Sequence, residues 1–135
     1  MSQFFTGTFR RSLDGKKRIL IPSEIRDALD ADDRRGLYVI PGKRFFLLWP
    51  HSCLEAYGQE LAVDPFKDQT AAQKQRAFYS RMQFKTFDGT GRIVIPKEFA
   101  DRFPDQEVVI VGVGRYLELW NPADWEAQDG SLDFG

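Results

Sequence analysis

Apolar positions in this chain come in short alternating runs, and each run is followed by apolar residues three and four apart. The whole order is written twice. DGKKRILIP at residues 14–22 and DGTGRIVIP at 88–96 agree at six of nine positions. In each phrase a polar Asp-Gly turn follows a short strand and leads into a β-branched strand, which a proline ends. Proline can open a helix, and SEIRDALD and KEFADRF supply one, with Ile25, Ala28 and Leu29, or Phe99 and Phe103, on one face. A hairpin with glycine at its bend follows: LYVIPGKRFFLLW in the first copy, EVVIVGVGRYLELW in the second. Each hairpin runs into another helix. Ser52 with Glu55 fits a capping box there, and Asn121-Pro122 fits an N-cap followed by the first helical residue.

The two copies keep an offset of 74 through the turn, strand and helix, and of 71 after a shorter loop, where RFFLLWPHSCLE (44–55) faces RYLELWNPADWE (115–126). Between them, DPFKDQTAAQKQRAFYSRM (64–82) predicts a helix opening at Asp64-Pro65 and partly amphipathic through Phe66, Ala77, Phe78 and Met82. The boundaries are a first repeat with its following helix at 5–63, a helical connector at 64–81, a second repeat at 82–127 and an acidic, frayed tail at 128–135. A half of roughly 50 residues is marginal as an independent core, so the two halves are expected to share one. The predicted class is mostly β with short helices (α+β), with internal pseudo-twofold symmetry.

Composition narrows the chemistry. One cysteine, Cys53, excludes an internal disulfide and a cysteine zinc site, and one histidine, His51, leaves no histidine cluster. No cofactor and no metal site are expected. Cys53 reads as a small buried apolar group and His51 as a helix-entry residue. There is neither an apolar run of about 18 residues nor a charged-then-apolar leader, which predicts a soluble cytoplasmic protein with no membrane partner. The formal net charge of −1 hides an uneven distribution. Asp124, Glu126, Asp129 and Asp133 close the chain without a cation, and the first 121 residues carry 19 basic against 16 acidic side chains. Arg10, Arg11, Lys16, Lys17 and Arg18 crowd around the first turn with only Asp14 among them.

The repeated Asp-x-x-x-Arg has two readings. Asp14 and Asp88 can hold the turns by accepting backbone N–H bonds, with Gly15, Gly89 and Gly91 supplying backbone freedom. The arginines either fold back to lock those aspartates or point outward with a fork of free donors. We favour function for the arginines, because both copies set them beside further basic or polar turn residues. Basic turns suit phosphate contact, and a β-ribbon can enter the major groove, where arginine pairs with guanine.

The phrases FTGTFRRSLDGKKRILIP and DGTGRIVIPKEFADRF…VVIVGVGRYLELWNPADWE together resemble the MraZ family of bacterial regulators of the division and cell-wall gene cluster, over about residues 5–127. The resemblance implies two tandem swapped-hairpin repeats of the AbrB/SpoVT kind, forming one β-barrel-like core plus connecting helices. It implies a sequence-specific, nucleoid-associated DNA-binding protein that recognises repeated boxes upstream of its own operon, and a ring-shaped homo-oligomer. The family's Asp-x-x-x-Arg signature falls on Asp14 and Arg18 and on Asp88 and Arg92. The implied contacts to double-stranded DNA are Arg18 and Arg92, supported by Arg10, Arg11, Lys16, Lys17 and Lys85. One departure stands out: Lys17 occupies the place where the family usually has glycine. If that place needs a positive φ, lysine is strained there by about 1 kcal/mol or more.

Two other classes compete. An oligomeric scaffold that binds proteins rather than DNA would lack a steep salt dependence. An enzyme would need Asp14 and Asp88 as a carboxylate pair, but each has an adjacent cation and a turn to cap. GVGR at 112–115 is too short for a dinucleotide motif, and no small-molecule substrate is expected. Trp49 and Trp120, at equivalent hairpin ends, read as core or subunit-interface packing, as do Phe45, Phe46, Tyr116 and Trp125.

Overall fold

The structure, a computed structural model, describes residues 3–62, 64 and 66–128. The expected acidic tail lies, but for Gln128, outside the described residues. The first repeat comprises β1 (Thr8–Ser12), β2 (Arg18–Leu20), α1 (Ser23–Ala28), a 3-10 turn at Ala31–Asp33, β3 (Gly36–Pro41), β4 (Phe45–Trp49) and α2 (His51–Glu60). The connector holds α3 (Gln69–Ser80), and the second repeat comprises β5 (Gln83–Thr86), β6 (Arg92–Val94), α4 (Lys97–Ala100), β7 (Glu107–Gly112), β8 (Leu117–Trp120) and α5 (Pro122–Ala127).

Six strands form one antiparallel sheet in the order β1-β7-β8-β4-β3-β5, and β2 pairs with β6 in a separate two-stranded ribbon. The order reads the same from both ends once the repeats are exchanged. Each repeat sends its first strand to the other repeat's hairpin: β1 pairs with β7, and β5 with β3. Neither half could form this sheet alone. The barrel-like core takes the form of a sheet and a ribbon around one interior, and no closed barrel is formed by the described strands.

Alternation explains which residues fill that interior. Ile19 and Ile93 face each other across the ribbon, and with Ile21 and Ile95 they are buried against Leu37, Leu48, Val108, Ile110, Leu117 and Leu119 from the sheet. Phe46 is 1% exposed and stacks on Phe99 with ring centroids 4.7 Å apart, closing α4 over the sheet. Across the β4–β8 seam the pseudosymmetry extends to side chains: Phe45 stacks on Trp120 at 4.7 Å, and Trp49 on Tyr116 at 4.6 Å. The hairpin-end tryptophans are therefore packing residues. They differ in one respect. Trp120 Nε1 donates to Glu118 at 3.0 Å, whereas Trp49 Nε1 is buried without a partner, because Leu47 stands where the second repeat has Glu118. A second apolar cluster of Ile40, Trp49 and Leu54 lies under α2 and α3 and includes Tyr57, Phe78 and Met82.

Three local expectations need correction. Ser52 and Glu55 do not form a capping box. Asp33 reaches in from the 3-10 turn and takes both the Ser52 N–H (3.2 Å) and its hydroxyl, while Glu55 pairs with His51. A carboxylate from elsewhere in the chain has outcompeted the local cap. The connector helix starts at Gln69 with Asp68 as its side-chain cap, five residues after Asp64, whose carboxylate accepts the Phe66 N–H. Phe66 is 94% exposed and Ala77 is exposed, so the packed stripe of α3 is Ala72 and Phe78, continued by Met82. The prolines that end the ribbon strands, Pro22 and Pro96, are N-caps lying just before α1 and α4. At α5, Asn121 caps Ala123 N–H at 2.8 Å and Pro122 is the first helical residue.

Candidate functional site

Both Asp-x-x-x-Arg turns close the same way. Asp14 Oδ1 accepts the N–H groups of Lys16 and Arg18, each at 2.9 Å, and its backbone carbonyl accepts from Lys17 N–H at 3.0 Å. Asp88 Oδ1 does the same for Thr90 and Arg92, each at 2.9 Å, and also accepts the Thr90 hydroxyl. The remaining carboxylate oxygen holds the arginine: Arg18 Nε lies 2.7 Å from Asp14 Oδ2, and Arg92 Nε 2.9 Å from Asp88 Oδ2.

The strand exchange then brings the two turns together. Arg92 Nη1 lies 3.3 Å from Asp14, and Arg18 Nη1 lies 3.7 Å from Asp88. The result is a crossed, charge-balanced quartet, with each side chain between 26% and 33% exposed. The arginines do fold back on the aspartates, and the lock is mutual between repeats. Among the described residues, Nη2 of neither arginine has a protein partner. Single exposed ion pairs stabilise little, but here both guanidinium groups are held through Nε, and that of Arg92 also through Nη1, before any ligand arrives.

These contacts also set the protonation state. The Arg92 N–H holds the Asp88 carboxyl far below the usual carboxylate range, and the Thr90 hydroxyl and N–H and the Arg92 guanidinium add to this. Asp14 is lowered in the same direction, first by the Arg18 N–H, then by the Arg18 guanidinium and the Lys16 N–H. Two carboxylates kept ionised this firmly make a poor general acid near neutral pH.

The ribbon presents the arginines outward. Ile19 and Ile93 point into the core, so Arg18, Leu20, Arg92 and Val94 share the opposite face, in register as Arg18↔Val94 and Leu20↔Arg92. Leu20 is 39% and Val94 44% exposed, so two apolar side chains stand on the same outward face as the arginines. Sequence reasoning misses these two residues, although the alternation along RILIP and RIVIP carries the signal.

The remaining candidates are spread over the first turn and the two outer strands of the sheet. Lys16 is exposed at the tip of the first turn. Arg10 and Arg11 lie on β1 and Lys85 on β5, the two outer strands of the sheet. Arg10 donates to Glu126 at 2.9 Å, tying β1 to α5, and Arg11 donates to the Arg10 carbonyl at 2.8 Å. Lys17 points elsewhere: its ammonium donates to Gln106 Oε1 of the second repeat at 3.0 Å. Positive φ in the turns falls on Lys17 (60°) and Gly91 (91°), two residues after the Asp-Gly glycines. Gly15 and Gly89 have open space where a Cβ would stand, so the turn's shape comes from the later position.

Cys53 is half-buried, and burial pushes its thiol above the ordinary value, away from a reactive thiolate. Among the described residues no three of His, Cys, Asp and Glu stand together as a metal-ligand set. No described helix is long and apolar enough to cross a membrane.

Comparison with known proteins follows the same two-part division. The family model described as "MraZ protein, putative antitoxin-like" matches twice, at residues 4–77 and 78–132. Proteins named "Transcriptional regulator MraZ" are similar over most of the chain. The one from Pediococcus pentosaceus is 36% identical over 125 residues, covering 90% of this chain and 84% of that protein. The one from Marinomonas sp. (strain MWYL1) is 35% identical over 129 residues, covering 92% and 84%. That from Azoarcus sp. (strain BH72) is 30% identical over 131 residues, covering 95% and 88%.

Proposed function

This chain belongs to the MraZ family, and from that premise we propose that it is a transcriptional regulator that binds double-stranded DNA through the outward face of the β2–β6 ribbon. The observation that carries this reading is the crossed quartet. Two arginines, one from each repeat, are held side by side on a two-stranded antiparallel ribbon, an element whose width suits the major groove. The aspartates serve as fixed struts. They take the Nε of both arginines and the Nη1 of Arg92 and orient the planar guanidinium groups, so less side-chain entropy is lost when a phosphate or a guanine edge is met. Lys16 at the turn tip, with Arg10, Arg11 and Lys85 on the flanking strands, supplies sequence-independent phosphate contacts.

A quartet without net charge, in a chain of net charge −1, favours weak single contacts. Assembly of copies into a ring would sum them over repeated boxes upstream of the protein's own operon. The place of action is then the nucleoid. One observation favours a second reading: the exposed Leu20 and Val94 beside the neutralised arginines would also suit a protein partner.

The test is a salt titration of binding to the duplex upstream of the protein's own gene, against a scrambled duplex. The proposal expects preference for the upstream duplex and a steep fall of affinity with salt. A well-folded protein that binds neither duplex at low salt would leave the scaffold reading.

A further inference from the structure

Resting on the DNA-binding reading above, we propose that Lys17 and Gln106 form a latch that sets the first turn, making Lys17 a positioning residue for Arg18 in place of the phosphate contact its charge suggests. Lys17 and Gln106 are the two non-glycine residues with positive φ in the described chain, at 60° and 62°. Left-handed backbone is disfavoured for each by on the order of tenfold. Although 89 residues apart, they are joined by the Lys17 Nζ to Gln106 Oε1 bond. Gln106 also accepts the Leu13 N–H on its backbone carbonyl at 2.7 Å. One residue of the second repeat therefore grips the first turn at both shoulders, before Asp14 and just ahead of Arg18.

The equivalent place in the second turn is built differently. Arg35 stands where Gln106 would be, and its carbonyl accepts the Phe87 N–H at 2.9 Å, so the backbone half of the grip is kept. Its side chain lies over the Phe84 ring at 5.2 Å, and the side-chain half is absent. Gly91 takes the positive φ without strain and seats the Arg26 guanidinium of α1, which would overlap a Cβ at that position. The residue equivalent to Arg26 in α4 is Ala100. The two halves thus exchange bulk: the first turn has lysine where the second has glycine, and α1 has arginine where α4 has alanine.

The latch matters because Lys17 sets the residue after it. With Lys17 left-handed, its N–H reaches the Asp14 carbonyl and the Arg18 N–H reaches Asp14 Oδ1. Relaxation of Lys17 to a right-handed conformation would turn the Arg18 N–H off the carboxylate and release the guanidinium from its fixed plane. A lysine ammonium committed to the other repeat is also not aimed at a phosphate.

Binding of a labelled upstream duplex by the full chain across a range of salt concentrations tests this with Lys17→Met, Gln106→Leu, the double variant and Lys17→Arg. The latch predicts that each single variant weakens binding by on the order of tenfold. It predicts that the double variant is no weaker than either single one, that the salt slope is unchanged, and that Lys17→Arg retains binding. A salt slope reduced by about one counterion in Lys17→Met, with Gln106→Leu binding normally, would overturn it in favour of a phosphate contact. Hydrogen exchange at the Arg18 amide gives a readout independent of DNA. Faster exchange in both variants, beyond what their change in global stability accounts for, supports the latch, and unchanged exchange refutes it. Failure of the unaltered protein to bind the duplex would instead count against the DNA reading and leave the exchange result standing.

Discussion

Gly91→Ala should destabilise this protein by more than any other single-methyl change in the turns. Gly91 has φ +91°, where an L-residue is disfavoured by about 1–2 kcal/mol. The new methyl would also occupy the space of the Arg26 guanidinium. Arg26 must then move, and with it goes the bond from its Nε to the Ile21 carbonyl, 2.9 Å long and worth about 1 kcal/mol. Together these give a loss of about 2–3 kcal/mol, or roughly 6–12 °C in Tm for a chain of this size. Urea unfolding followed by tryptophan fluorescence measures it. The two contributions separate in a double-mutant cycle: in an Arg26→Ala background the steric part has already gone, so Gly91→Ala should cost about 1 kcal/mol less there. Lys17→Gly, at the equivalent position, is the internal control. It relieves strain but loses the Gln106 bond, and should fall within about 1 kcal/mol of zero. A Gly91→Ala cost below about 0.5 kcal/mol, or one that is the same in both backgrounds, would refute this account of the second turn.

Other outcomes follow from the same geometry. Asp33 is 3% exposed and serves Gln3, the Ser52 hydroxyl and the Ser52 N–H, so Asp33→Ala should cost about 2–4 kcal/mol by urea unfolding, where a surface aspartate would cost almost nothing. Phe46→Ala removes a ring packed against Phe99 and Phe103 and should cost about 3–5 kcal/mol in thermal or urea unfolding. The lowered carboxyls of Asp14 and Asp88 give pH dependence a sign. The unfolded chain takes up protons at ordinary carboxylate values while the folded turns stay ionised, so stability is fully present above about pH 4 and falls as the solution is acidified below it. Asp14→Asn with Asp88→Asn should flatten that acid limb in unfolding experiments at several pH values.

Local pattern made much of this protein legible. The alternation in RILIP and RIVIP buries Ile19, Ile21, Ile93 and Ile95, and the glycine-bend hairpins and the Asn121 cap stand where their residues indicate. The twofold repetition also implied halves that share one core. What periodicity could not carry is partner choice over long separations. That β1 belongs to β7 and β5 to β3 depends on pairings about 100 and about 50 residues apart, for which alternation gives no register. The same holds for Asp33 displacing the local cap of α2, and for Gln106 meeting Lys17. The arginines show the limit most plainly. Spacing four apart predicts that Arg18 can reach Asp14, but only the strand exchange brings Arg92 to Asp14 and Arg18 to Asp88. The internal repeat sets Lys17 against Gly91, but does not show the contact with Gln106 that Lys17 makes.

The central claim is that DNA is met by the paired arginines of the ribbon, and one comparison tests it most directly. Binding of the upstream duplex at a single low salt concentration is measured for Arg18→Gln with Arg92→Gln and for Lys67→Gln with Arg76→Gln, the latter removing two exposed cations from the connector region. Both variants must melt near the unaltered protein. The account predicts that the ribbon variant binds roughly 100-fold or more weakly, because two charge-assisted hydrogen-bonding groups are removed from the DNA face at once. It predicts a loss of less than about threefold for the connector variant. Equal losses in the two variants, or a ribbon variant that binds as tightly as the unaltered protein, would contradict it.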